Sequence, residues 1–203
     1  MSTASDIRVC FVGDSLVAGV GDPDHRGWVG RVAAHAAANG HWITTYNLGV
    51  RRETSADIAQ RWAAECALRL PQSCRRHVVF SFGVNDTTAE SGRTRVAAAD
   101  SLDHLRRILG RVSDYDAAVM IGPAAVADAD HNRRIQALDR QFGATCRELG
   151  VPYLSVFESL HANPIWMRQV AERDGAHPRA EGYSEFSKLV TGWTSWWFRN
   201  PSL

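Results

Sequence analysis

The 203-residue chain has no long apolar run; the stretch from Val9 to Val12 is far too short for a signal h-region or a membrane span. Its opening residues, Met1 to Ile7, carry no basic cluster. Together these features predict a cytoplasmic protein without stable membrane insertion. An excess of either charge is missing too, because 23 Lys and Arg residues face 22 Asp and Glu, leave a net charge of +1, and are mixed along the chain. That balance gives no footprint for nucleic acid or for an anionic membrane, and neither is expected as a partner. Cysteine is scarce. Cys10, Cys66, Cys74 and Cys146 form no C-x-x-C pair, which predicts reduced, packed thiols rather than a disulfide or a metal site. No Pro/Gly/Ser-rich linker or low-complexity tract divides the sequence, so residues 1–203 are expected to form a single domain with a substantial core. Composition carries no signal for an oligomeric state.

What is present alternates between strand and helix patterns. Ile7 to Val12 is a short apolar run with β-branched residues, ended by Gly13, and reads as a buried strand. An alanine-rich helix from Trp28 to Ala38 is stopped by Asn39-Gly40, and a second strand is expected over Trp42 to Asn47. Thr54 with Asp57 three residues on is a capping signal for a helix through Leu70, whose Ile58, Trp62, Cys66 and Leu70 share one face. Further strands are predicted at His77 to Phe82, Ala117 to Ile121 and Val151 to Val156, with helices over Arg95 to Val112 and Asn132 to Leu149. This alternation predicts an α/β fold, a three-layer α/β/α sandwich around a five-stranded parallel sheet of flavodoxin-like order. A last helix carries Phe186, Val190, Trp193 and Trp197 at helical spacing, flanked by Leu189 and Trp196. That face is assigned to the core over a docking surface.

Four short segments carry groups that chemistry can use, and three of them fall just past a strand, where ligands bind in such sheets. Gly13-Asp14-Ser15-Leu16 puts a hydroxyl two residues past the first strand, with Gly13 expected to let the backbone turn. In isolation Asp14 and Ser15 read equally as helix caps. Asn47-Leu48-Gly49 and Gly83-Val84-Asn85-Asp86 follow the second and third strands, and Asp174-Gly175-Ala176-His177-Pro178 precedes the last helix. The three-residue spacing of Asp174 and His177 lets one loop set a carboxylate against one imidazole nitrogen while the other nitrogen faces a hydroxyl. Gly-x-Ser-x-Gly is absent because Val17 occupies the last position. Gly19-Val20-Gly21 lacks the third glycine of a dinucleotide loop, since Asp24 stands there.

In order and company these segments resemble the SGNH hydrolases, the family of GDSL esterases and lipases, over residues 11 to 183, and Pro178 with Gly182-Tyr183 extends the likeness. The resemblance implies a serine esterase that acts on a small-molecule ester through an acyl-enzyme on Ser15, with His177 as base and Asp174 orienting it. It implies an oxyanion hole built from the backbone N–H groups of Ser15 and Gly49 and the side-chain amide of Asn85. It implies no metal and no cofactor. An acyltransferase using the same residues, or a noncatalytic binding module that keeps the fold, are the alternatives. Arg51-Arg52 stands where many relatives have a second glycine. Arg51 is therefore either a ligand for an anionic group on the substrate or a solvated loop charge. Trp28 and Trp166, near element ends by the expected site, either wall a substrate pocket or fill the core.

Overall fold

The structure, a computed structural model, describes residues 6–201. Five strands form the main sheet: β1 (Ile7–Gly13), β2 (Ile43–Gly49), β3 (Arg75–Ser81), β6 (Ala117–Ile121) and β7 (Tyr153–Leu154). All neighbours pair in parallel, in the order β2-β1-β3-β6-β7. This is the flavodoxin-like topology that the alternating pattern predicts. Two short strands, β4 (Ala89–Glu90) and β5 (Arg93–Thr94), make a separate hairpin whose tip, Ser91-Gly92, has positive φ at both residues.

The inner strands β1, β3 and β6 bury apolar residues on both sides because helices cover both sides, whereas the edge strand β2 exposes Thr44 and Asn47. Along β1, Val9 and Phe11 enter one core while Cys10 and Val12 enter the other. On the first face lie α1 (Ser15–Ala18), α2 (Gly27–Ala38), α6 (Phe157–His161), α7 (Pro164–Ala171) and α8 (Ala180–Gly192), contributing Val17, Trp28, Leu160, Trp166 and Phe186. Against the other face pack α3 (Ser55–Arg69), α4 (Ala98–Leu109) and α5 (Ala129–Glu148), with Trp62, Leu105 and Phe142 buried. All four cysteines are free and buried. Among the described residues no helix is long and apolar enough to cross a membrane.

Three expectations need correction. The third predicted helix starts at Ala98 rather than Arg95, because Arg95 N–H donates to Thr88 O and Val96 N–H to Asp86 O, which ties both residues back to the loop after β3. The last helix ends at Gly192, and Trp193 turns the chain out of it, so Trp197 is not helical. Trp196 and Phe198 instead fold under the sheet, where Trp197 and Phe198 cover His77 with ring centroids 4.5 and 5.9 Å away. Gly13 is needed for space, not for a special turn: it is the last residue of β1, and a Cβ there would lie 2.0 Å from Ser81 O.

Candidate active site

Register brings the segments together. Gly13 pairs with Gly49 on one side and with Ser81 on the other, so the carboxyl ends of three strands finish level. The residues that follow are thereby delivered to one edge. After β1 the chain enters the single turn α1, and Asp14 is its N-cap, its Oδ1 accepting from Leu16 N–H at 2.9 Å. Ser15 does no capping. Its Oγ is 2.8 Å from His177 Nε2, a contact spanning 162 residues of chain.

His177 is held from behind. Its Nδ1 is 2.6 Å from Asp174 Oδ2, while Asp174 Oδ1 accepts the backbone N–H groups of Ala176 at 3.1 Å and His177 at 3.0 Å. Gly175, with φ of 85°, gives this tight loop a left-handed residue that a side chain would disfavour. Burial would raise the Asp174 carboxyl, but the hydrogen bonds from the His177 ring and from the two backbone amides outweigh it and hold the carboxyl at about 2. Asp174 therefore stays ionised at any working pH, and with an ionised partner at Nδ1 the imidazole presents a lone pair at Nε2.

The donors around Ser15 are placed unequally. Ser15 N–H is at the first position of α1, where no helical acceptor exists. Asn85, in the loop after β3, uses its Nδ2 to reach Glu53 O at 2.9 Å, with Asp14 Oδ2 at 3.4 Å. Gly49 N–H is already taken by Asn47 Oδ1 at 3.0 Å, and Asn47 Nδ2 in turn donates to Val17 O at 2.7 Å. A Cβ on Gly49 would sit 2.2 Å from Ala18 N and 2.7 Å from Asp14 O, so only glycine lets α1 lie this close to the end of β2.

Other groups at this edge have no motif to announce them. Arg61 of α3 donates to Leu48 O at 2.8 Å and Gly13 O at 3.1 Å while pairing with Glu53 at 2.6 Å, so one guanidinium ties together the ends of β1 and β2 and the loop that holds Asn85. Asp86, fully buried, accepts from Ser55 N–H at 2.7 Å at the start of α3. His131 Nε2 lies 3.0 Å from Thr87 Oγ1 and 3.1 Å from Val84 O, bracing the Asn85 loop from α5. Burial pushes the His131 imidazole below its ordinary range. The capping pair Thr54 and Asp57 was legible, but these longer reaches carry no sequence spacing.

Of the residues expected to contact substrate, Arg51 is exposed and lines a cleft of about 480 Å³ beside α1. Trp28 and Trp166 do not reach either cleft at this edge. Both are fully buried, Trp28 stacked on Phe186 at 5.0 Å and Trp166 bound through its indole N–H to Ala125 O at 2.9 Å. A second cleft, about 460 Å³, opens on the far side of the 174–177 loop between Thr88, Val126, Ala127, His131 and Ala176. Among the described residues no group of three or more His, Cys, Asp or Glu is placed to hold a metal ion.

Asp14 is the most perturbed carboxyl here. Burial is the main cause, repulsion from Asp86 and Glu53 adds to it, and the amide of Leu16 only partly offsets them, so the group is pushed up to about 7. The folded chain thus holds this proton more tightly than the unfolded one. Stability from this group is present in acid and is lost as pH rises from about 4 to about 7, the reverse of an ion-paired carboxylate. Thermal unfolding of wild type and Asp14→Asn across that window should show the wild type losing ground steadily to the variant as pH rises. A difference that stays flat with pH would refute the assignment.

The sequence profile of the GDSL-like lipase/acylhydrolase family matches residues 11–184, and the chain belongs to that family. Comparison with curated proteins finds no match. Among solved structures, a catalytic mutant of an acetylxylan esterase from Geobacillus stearothermophilus superposes with a TM-score of 0.76 at 16% identity, covering 100% of both chains. A lipase/acylhydrolase from Enterococcus faecalis gives 0.71 at 20% identity, covering 91% of this chain and 93% of its own. An α/β hydrolase enzyme from the metagenome of Lake Arreo, Spain, gives 0.72 at 16% identity, with 94% and 95% covered. At such identities these likenesses speak for the fold.

Proposed function

We propose that the chain is a serine hydrolase of carboxylic esters. One observation carries this reading: the unbroken series of short contacts from Asp174 through His177 to Ser15 Oγ, at 2.6 and 2.8 Å. His177 Nε2 takes the hydroxyl proton as Ser15 Oγ attacks the ester carbonyl carbon, and Asp174 stabilises the imidazolium that results. The tetrahedral oxyanion is met by Ser15 N–H and the Asn85 amide, and by Gly49 N–H once it turns from Asn47 Oδ1. Collapse expels the alcohol, which takes the proton from His177 and leaves an acyl-enzyme. Water then gives a proton to His177, attacks the acyl carbon, and releases the acid with Ser15 restored. Membership of the lipase/acylhydrolase family and the esterase among the structural neighbours support the ester as substrate class.

A fluorophosphonate tests the nucleophile directly. One covalent adduct is expected, on Ser15, and it should disappear when His177 is replaced by alanine; labelling of another serine would overturn the reading. Asn85→Ala should lower kcat by roughly 10² to 10³, the usual loss for one oxyanion donor, with KM little changed. An unaltered kcat would take Asn85 out of the mechanism.

A further inference from the structure

The cleft beside α1 gathers three arginines. Its floor is Ala18 to Gly21, starting within one helical turn of Ser15, and its rim includes Arg51, Arg173 and Arg179. Each arginine flanks a residue of the active site in sequence: Arg51 stands two past Gly49, Arg173 just before Asp174, and Arg179 two past His177. Floor and rim are joined to the catalytic loop. Arg173 Nη1 donates to Gly21 O at 2.7 Å, Tyr183 OH donates to Val20 O at 2.7 Å, and a Cβ on Gly21 would meet Pro178 O at 2.7 Å and His177 Cβ at 3.2 Å.

Among the described residues none of the three guanidinium groups has an acidic partner within 4.0 Å. The one carboxylate on the cleft wall, Asp22, is turned inward: it is ion-paired to Arg31 and accepts from Gly27 N–H at 2.8 Å. With a net charge of +1 for the whole chain, three unpaired cations around one concavity next to the proposed nucleophile are a local excess. Guanidinium groups are forked donors suited to carboxylate, sulfate or phosphate oxygens, and desolvating them without such a partner is costly. A neutral ester would offer no partner to Arg51 or Arg179, and none to Arg173 beyond Gly21 O.

Resting on the ester-hydrolase reading, we infer that this arginine-rimmed cleft is the subsite for an anionic substituent of the substrate, so that the preferred ester carries a carboxylate, sulfate or phosphate beside the bond that is cut. Arg51 and Arg179, whose side chains make no hydrogen bond among the described residues, are the specificity-determining pair, while Arg173 also holds the floor.

Two matched ester pairs test the inference and locate the charge. In the first the acyl part carries it: 4-nitrophenyl hemiglutarate against 4-nitrophenyl methyl glutarate. In the second the alcohol part does: 4-acetoxybenzoate against its methyl ester. The anionic-to-neutral ratio of kcat/KM is measured for wild type, Arg51→Ala, Arg179→Ala and Arg179→Glu, so that intrinsic reactivity cancels. In one pair the ratio should fall about tenfold for each alanine variant, the size of one charge-assisted hydrogen bond, and further for the glutamate variant. Raising salt should shrink the wild-type ratio toward that of the variants. Ratios that no variant changes in either pair would overturn the inference and leave the esterase reading standing. Should wild type cleave none of the four esters, the esterase reading fails, and calorimetric titration of Ser15→Ala with monomethyl glutarate and with 4-acetoxybenzoate decides the cleft alone: binding that Arg51→Ala and Arg179→Ala abolish upholds it, and no binding sinks it.

Discussion

Ser15→Ala should cost about 10⁶ in kcat for ester hydrolysis, the loss expected when the nucleophile of a covalent mechanism is removed, while the protein remains folded. The second half of that expectation comes from the local structure. The N-cap of α1 is Asp14, whose Oδ1 receives Leu16 N–H, and Ser15 serves the helix only through its backbone carbonyl, which accepts from Val20 N–H at 3.0 Å and which alanine would keep. Alanine at the first helical position is well tolerated and removes only Oγ. Thermal unfolding should therefore be nearly superimposable with wild type, whereas turnover falls to whatever the remaining polar donors supply to bound ester. A variant that kept a tenth of wild-type turnover would remove Ser15 as nucleophile. Loss of activity together with a collapsed melting curve would leave the assignment unsupported.

Asp174→Asn has the next largest effect, about 10⁴ in kcat, because it changes which nitrogen of His177 carries the proton. The carboxylate accepts from His177 Nδ1 and leaves Nε2 with a lone pair toward Ser15. An asparagine amide turned to donate at Nδ1 would reverse that order and leave Nε2–H against the hydroxyl. Both backbone contacts, from Ala176 and His177, reach Oδ1, which the amide oxygen can replace, so the loop should stay in place. Since Asp174 is ionised down to a pH of about 2, its loss cannot be offset anywhere in the working range. Combining Asp174→Asn with Ser15→Ala should be no worse than Ser15→Ala alone, because Asp174 acts only through the Ser15–His177 pair. Near-wild-type kcat in Asp174→Asn would reduce the triad to a dyad.

The sheet and the segments that meet at its carboxyl edge were legible because both are written in local pattern. Apolar runs marked β1, β3 and β6, and Thr54 with Asp57 marked the start of α3, whose capping box is present. What escaped depends on contacts distant in sequence. Arg61 looks like any charged position on a helix; nothing in its surroundings foretells that it reaches the carbonyls of Gly13 and Leu48. His131 has no flanking motif, and its brace on Val84 and Thr87 crosses 47 and 44 residues. Helix α7 was missed although Asn163 caps it and Pro164 fills its first turn, because its eight residues are too few to display a period. Trp28 and Trp166 show the limit in the other direction: position near an element end did not tell whether an indole faces a cleft or the core.

The link between Ser15 and His177 closes a loop of 162 residues, from the end of the first strand to the turn before the last helix. No smaller unit of the chain contains both partners, and long closures are entropically the late ones. Turnover is therefore a clock for the completion of folding. In a refolding experiment the far-ultraviolet signal of helices and sheet should recover first, and ester hydrolysis should return only with the slowest phase, when the C-terminal third docks onto an edge that the first half has already built.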